Sequence, residues 1–222
     1  MSHDRIQWAT VFVVFVIAVP AAGVPAPTVV YDNTTTPVSG DWTPGGFWPF
    51  SVYATYELMG DQITLAGTHR AITQFDLILS SSEQVTLTTL ELIFYINDGI
   101  DGYEFPGAPD TELWSDTASD VTVDGTTTVV FSVPNVVVPD TFTWVTSADS
   151  MIAGMATYGP PSVGSSGNYF WDRASDDQEW YAMWFESDPV ANFGAKVWAV
   201  PEPTTMVLLA LGGLLAARRR RP

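Results

Sequence analysis

The interior of the chain alternates apolar and polar residues with a period of two, the pattern of a β-strand that is buried on one face. The clearest examples are residues 74–79 (QFDLIL) and 90–97 (LELIFYIN). Clusters such as Asn97-Asp98-Gly99 and Gly159-Pro160-Pro161 interrupt these runs, and clusters of this composition form turns. No stretch of the interior has the period of an amphipathic helix. The pattern therefore predicts an all-β domain.

Further strands are predicted at short intervals along the interior. They are 61–66, 121–123, 127–133, 141–146, 151–158, 168–171, 180–185 and 193–200. About ten short strands separated by turns are typical of an antiparallel two-sheet β-sandwich, and we predict the jelly-roll type. The predicted ectodomain is residues 24–199. A domain of this length buries about 70% of the surface of its unfolded chain, so it does not need disulfides to be stable.

Composition excludes several classes of function. The chain has no cysteine, which rules out disulfides, thiolate nucleophiles and cysteine-ligated metals, and its only histidines are His3 and His69. Lys and Arg number 8 against 25 Asp and Glu, for a net charge of -17 that repels phosphate backbones. The chain also lacks a P-loop, a dinucleotide fingerprint, an HExxH helix and a G-x-S-x-G elbow. We predict no nucleic-acid partner, no enzymatic activity and no resident cofactor.

The N-terminus has the order of a secretory signal peptide. A short polar start with Arg5 precedes an apolar run from Trp8 to Val19, and small residues follow at 20–23. The alternative is an uncleaved membrane anchor, but the apolar run is short for a span of about 20 residues. We therefore predict a signal peptide over residues 1–23, with cleavage between Ala21 and Ala26.

The C-terminus carries a second membrane-directed segment. Pro201, Glu202 and Pro203 precede the apolar run Thr204–Ala217, and Arg218, Arg219, Arg220 and Arg221 follow it. As a helix this run spans about 21 Å against a hydrocarbon core of about 30 Å, so it is a short transmembrane helix. Arginine clusters stay on the cytoplasmic side, which places the ectodomain outside the inner membrane. The signal peptide delivers the chain to that same side.

The order of these three parts resembles the PEP-CTERM sorting signal, which we place at residues 200–222. The resemblance implies an exported protein of an exopolysaccharide-producing Gram-negative bacterium, recognised and cleaved by an integral membrane exosortase. It implies that Pro201, Glu202 and Pro203 are the sorting motif. It also implies a transient stage in the inner membrane, followed by delivery to the cell surface or to the extracellular matrix of a biofilm. The resemblance covers the tail only and does not identify the activity of the ectodomain.

One glycine-rich connection is a candidate Ca²⁺ site. Asp98, Asp101, Glu104 and Asp110 supply four carboxylates within it, and oxygen ligands of this kind suit calcium. The spacing departs from the EF-hand, because Gly99 and Ala108 stand where ligands are needed. The alternative is a solvated acidic turn, which is the commoner role of such clusters.

A second candidate for modification is the sequon Asn33-Thr34-Thr35, in a threonine run that ends at Pro37. The run is either a glycosylated stalk or a plain loop. We favour the loop, because the run is short and sequons are common.

Aromatic residues make up 13% of the chain, and exposed Trp and Tyr rings are the stacking platforms of carbohydrate-binding sandwiches. Trp42 and Trp48 flank a glycine pair in a loop-like segment and are our candidate glycan contacts. Trp180 and Trp184 lie two positions either side of Ala182 on one predicted strand, where we favour a place in the core.

Three hypotheses for function follow from these features. The first is an exported envelope or matrix protein with a structural or exopolysaccharide-associated role. The second is a carbohydrate-binding module. The third is a glycosidase that uses a pair of carboxylates about 5–10 Å apart, although the abundance of acidic residues is not evidence for such a pair.

Overall fold

The computed structural model describes residues 25–36, 47–49, 58–104, 106–150, 152–173, 178–184 and 192–202, and these residues form strands and turns with no helix. The strands among them are β1 (Thr28–Asp32), β2 (Phe47–Pro49), β3 (Leu58–Thr64), β4 (Ala71–Ser81), β5 (Val85–Tyr95), β6 (Gly99–Ile100), β7 (Pro106–Ala108), β8 (Glu112–Val123), β9 (Thr126–Val137), β10 (Thr141–Ala148), β11 (Ala153–Tyr158), β12 (Ser165–Ser166), β13 (Tyr169–Arg173), β14 (Trp180–Trp184), β15 (Asn192–Phe193) and β16 (Ala195–Val200).

These strands form two large antiparallel sheets and one small one. In the first sheet β4 is central: β9 lies along one side of it, and β16 followed by β11 lies along the other. β1 pairs with the far side of β16, while β2 and β15 pair with β11. The second sheet has the order β14-β13-β3-β10-β5-β8, with β12 paired to β3. β6 and β7 form a separate hairpin.

The long strands pair in a nested order. β5 pairs with β8, β4 with β9, and β3 with β10. The strands β8 to β10 therefore pair with β3 to β5 in reverse order. Successive pairs lie in alternate sheets, the β4–β9 pair in the first and the other two in the second. The turn from β8 to β9 is Asp124-Gly125, and Gly125 has a φ of 58°, a conformation that glycine adopts without strain.

The main core lies between the two large sheets. Phe75 of the first sheet contacts Phe94 and Trp144 of the second, with ring centroids 5.5 and 5.2 Å apart. All three side chains are fully buried. Each contributes about 1.5–3 kcal/mol through removal of apolar surface from water. Two antiparallel sheets that share one core are consistent with the predicted β-sandwich, and the all-β prediction is confirmed.

A second apolar cluster covers the other face of the second sheet. Ile93 and Val145 alternate along their strands with core residues, so they point away from the main core. Tyr95, Trp171, Trp180 and Ala108 complete the buried part of the cluster, and Ala108 belongs to the β6–β7 hairpin. The hairpin therefore packs against this face.

The predicted terminal segments lie outside the described residues. These are the signal peptide over 1–23 and the apolar run Thr204–Ala217 with its arginine cluster. Within the described ranges, no helix is long and apolar enough to cross a membrane.

Candidate functional site

The last strand of the fold ends where the predicted sorting motif begins. β16 runs to Val200, and Pro201 is the next residue. β16 has a neighbour on each side: Ala199 pairs with Thr28 of β1 and with Ile72 of β4, and Val200 pairs with Ala71. Ala199 and Val200 are both buried. The chain is therefore held in the sheet up to the residue before the motif.

The two ends of the described domain lie side by side. β1 begins at Thr28, which is the cross-strand partner of Ala199. On the other side of β4, Val137 at the end of β9 lies opposite Ala71. We call Thr28, Ala71, Val137, Ala199 and Val200 the terminal row. It places the start of β1 and the end of β16 at one end of the first sheet.

Loops beyond the terminal row are tied together by polar contacts. Arg70 Nε lies 2.6 Å from Asp140 Oδ1, and the same guanidinium donates to the carbonyls of His69 and Gly67. The hydroxyl of Thr28 lies 2.9 Å from Nδ1 of His69. The side chain of Asp140 is 80% exposed, so the ion pair contributes at most about 1 kcal/mol. Its main effect is to fix the loops around the row.

The predicted sorting motif is only partly described. Pro201 and Glu202 are partly exposed beside the end of β16. Pro203 and the arginines Arg218 to Arg221 lie outside the described residues.

A second candidate site is a group of aromatic rings on β13 and β14. Trp184 is 61% exposed and pairs across the strands with Tyr169, whose ring centroid is 6.5 Å away. Tyr169 in turn packs edge-on against Trp171, at 5.8 Å and 89°. We call Trp184, Tyr169 and Trp171 the ring row. It is exposed at Trp184 and buried at Trp171.

The predicted core position is right for Trp180 and wrong for Trp184. Trp180 is buried in the second cluster, where its ring packs against Tyr95 at 5.7 Å and under Arg173 at 5.6 Å. Trp184 lies on the same face of β14 but at the end of an edge strand. The β6–β7 hairpin packs beside Trp180, as their shared cluster and the hydrogen bond from Gly102 to the Trp180 carbonyl show, whereas Trp184 is not part of that cluster and its ring remains in solvent. Alternation along a strand predicts the face and not this difference.

The two tryptophans that we predicted as glycan contacts are not tested by the structure. Trp42 lies outside the described residues. Trp48 is in β2, where its backbone pairs with Met155. Their role stays a prediction.

The four predicted calcium ligands are described, and two of them hold the backbone of their own loop. Asp98 accepts hydrogen bonds from the N–H and the hydroxyl of Thr111, at 3.0 and 2.8 Å, and these bonds lower the pKa of Asp98. Asp101 is buried and accepts from the N–H of Tyr103 at 3.0 Å. Glu104 and Asp110 are exposed. The part of the chain that is described contains no group of three or more His, Asp or Glu residues arranged to hold a metal. Calcium binding stays a prediction.

The sequon asparagine is part of the fold. Asn33 is fully buried; its Nδ2 donates to the carbonyl of Phe193 and its Oδ1 accepts from the N–H of Ala195, both at 2.8 Å. Its amide thus extends the edge of the first sheet, as a backbone group would. Buried in this way, the nitrogen is not accessible to a glycosylating enzyme.

Comparison with known proteins identifies the tail. The family model of the PEP-CTERM protein-sorting motif matches residues 199–221, which confirms the predicted sorting signal; the match begins and ends one residue before the predicted range 200–222 and includes Ala199 and Val200 of β16. No curated protein and no solved structure matches the chain. The fold and the tail define an all-β protein that is exported and sorted to the cell surface. More particularly, the chain carries a PEP-CTERM protein-sorting motif at residues 199–221, and this motif implies processing by an exosortase-type system.

Proposed function

We propose that this protein has a structural or exopolysaccharide-associated role in the cell envelope or extracellular matrix, and that its ectodomain acts by binding and not by catalysis. The match of the sorting motif at residues 199–221, directly after an all-β domain, is the observation that carries this proposal. A signal peptide over 1–23 directs export. The segment Thr204–Ala217 then pauses in the inner membrane until the exosortase acts.

The ectodomain is a β-sandwich of the jelly-roll type in this proposal. Three nested strand pairs support it, namely β3 with β10, β4 with β9 and β5 with β8. The pairing of β1 with β16 adds a fourth pair outside them. Nested antiparallel pairs divided between two sheets are the connectivity of a jelly roll.

The test of this role is the distribution of the full chain in an exporting host. With the exosortase present, we expect the ectodomain in the surface and matrix fractions, where it sediments together with the exopolysaccharide. Replacing Pro201, Glu202 and Pro203 with alanine is expected to leave the chain in the membrane fraction. Equal distributions of the two chains would exclude the proposal.

Glycan binding is a second candidate function, and the exposed ring of Trp184 favours it. An indole that is 61% exposed beside the Tyr169 ring offers a flat apolar surface to the C–H face of a sugar. The net charge of -17 disfavours anionic polysaccharides. The ligand class is therefore a neutral polysaccharide.

Affinity electrophoresis of the ectodomain tests this second function. We expect retardation in a gel that contains a neutral β-glucan and none in a gel that contains alginate. Trp184→Ala is expected to abolish the retardation. Met183→Ala is the matched control, because Met183 is 42% exposed on the opposite face of the same strand. Equal retardation of the two variants would remove Trp184 from the site.

A further inference from the structure

The distance between the fold and the membrane is set by very few residues. Val200 is paired in the first sheet, and the apolar segment begins at Thr204. Only Pro201, Glu202 and Pro203 lie between them, and a fully extended chain advances about 3.3–3.6 Å per residue. The end of the sheet and the start of the apolar segment are therefore at most about 14 Å apart while the tail is in the membrane.

We call Pro201, Glu202 and Pro203 the tether. Lengthening it by unpairing the end of β16 costs folding free energy. β16 is not an edge strand at this point, because Ala199 pairs with both Thr28 and Ile72. Releasing even two residues would break pairing on both sides and expose Ala199 and Val200, which are buried. The fold thus holds Pro201, the first residue of the motif, next to the terminal row.

An enzyme that binds the chain between Val200 and Thr204 must also contact the folded surface of the first sheet next to it. Val137 is the exposed apolar residue of the terminal row, at 47% exposure, and it lies two strands from Val200. Two strand spacings are about 10 Å, which is within the footprint of any protein that grips the motif.

We propose that the terminal row is a docking surface for the exosortase-type enzyme, so that the enzyme recognises the end of the folded sheet together with the motif. This inference rests on the proposed route through the inner membrane. The partner is an integral membrane enzyme whose outer surface contacts this sheet end at Val137, beside the Arg70–Asp140 ion pair. Residues near the centre of an interface, where water is excluded, are the ones whose substitution costs most.

The experiment uses the full chain in a host that carries the enzyme, with processing followed by pulse-chase and immunoblot. Val137→Asp is expected to slow processing about tenfold, because a charge is introduced into the interface. Val130→Asp is the matched control, since Val130 is 57% exposed on the same strand but far from the terminal row. It is expected to be processed at the rate of the unmodified chain. Resistance to limited proteolysis verifies that both variants fold.

A linker provides a second and independent arm. Ten Gly and Ser residues inserted between Val200 and Pro201 separate the motif from the terminal row. With this linker, chains with and without Val137→Asp are expected to be processed at equal rates. If Val137→Asp without the linker matches Val130→Asp, docking is excluded while sorting stands. If the unmodified chain is not processed, or is processed without its motif, the proposed route itself is wrong.

Discussion

Asp61 of β3 accepts a hydrogen bond from the backbone N–H of Phe193 in β15, 2.6 Å away, and so joins the two large sheets through the interior. Asp61 is 1% exposed. Burial raises the pKa of Asp61 well above its ordinary value, and the hydrogen bond from Phe193 offsets only part of this effect. The carboxyl therefore keeps its proton to a higher pH than an exposed aspartate does.

The first prediction concerns Asp61→Asn. Between the ordinary pKa of about 3.9 and the raised folded value, the folded state binds more protons than the unfolded state, so stability falls as pH rises. Asparagine keeps a carbonyl acceptor for Phe193 and does not titrate. We expect Asp61→Asn to melt higher than the unmodified domain at neutral pH and close to it at pH 4. Asp61→Ala, which loses the acceptor, should melt lower at every pH. If the melting temperatures of Asp61→Asn and the unmodified domain differ by the same amount at every pH, Asp61 does not titrate as described.

The fold was predictable from sequence where a strand is rich in buried apolar residues, as β4 and β5 are. β4 and β5 follow the alternation of residues 74–79 and 90–97. β8 runs over Glu112–Val123, yet only its last three residues were predicted. β8 is an edge strand with mostly exposed residues, so polar side chains occupy both of its faces and the alternation is lost. β1 was missed because it is short and contains a bulge between Val29 and Tyr31.

The candidate sites also differ in how far the sequence alone predicts them. The sorting motif is contiguous, so the sequence alone shows the order of its parts. The terminal row and the Asp61 link bring together residues that are far apart in sequence, 132 positions in the case of Asp61 and Phe193. No local pattern predicts such pairs. The difference in exposure between Trp180 and Trp184 depends on the β6–β7 hairpin that packs beside Trp180, which the pattern of β14 alone does not predict.

The second prediction concerns Asn33→Ala. This change leaves the carbonyl of Phe193 and the N–H of Ala195 buried without their partner. Each such group costs about 1–3 kcal/mol, so we expect a loss of about 2–6 kcal/mol in urea unfolding. Thr35→Ala is the matched control, because it destroys the same sequon at an exposed position. It should be neutral. Expression in a glycosylating host should leave the mass at Asn33 unchanged, and a glycan at that residue would contradict its buried role.

The third prediction concerns the ion pair of Asp32 and Lys196, which are 2.9 Å apart on neighbouring strands. Desolvation acts to raise the pKa of Asp32, but hydrogen bonds from Lys196 and Thr34 outweigh it and lower the pKa below 3.8. A lowered folded pKa contributes stability above the unfolded pKa that is lost as pH falls through the folded value. Asp32→Asn should therefore cost about 1–3 kcal/mol at pH 7 and progressively less towards pH 3. This trend is opposite in sign to that of Asp61→Asn. A cost independent of pH would mean that the charge of Asp32 is not what stabilises the fold.

The last prediction separates the fold from its sorting signal. β16 is complete at Val200, and its side chains Ala195, Val197 and Ala199 lie in the main core. A chain that ends at Val200 keeps every strand pair that the structure describes, so it should fold, melt within about 2 °C of the processed full-length protein, and accumulate in soluble form in the periplasm. A chain that ends at Gly194 lacks the strand between β1 and β4, and it should be degraded or insoluble.

Mass spectrometry of the surface-exposed protein should recover peptides up to Val200 but none that cross from Ala217 to Arg218, because the arginines remain with the membrane after cleavage. Recovery of that junction from the cell surface would show that the tail is a permanent anchor, and the short tether at Val200 would then hold the sheet against the membrane for the life of the protein.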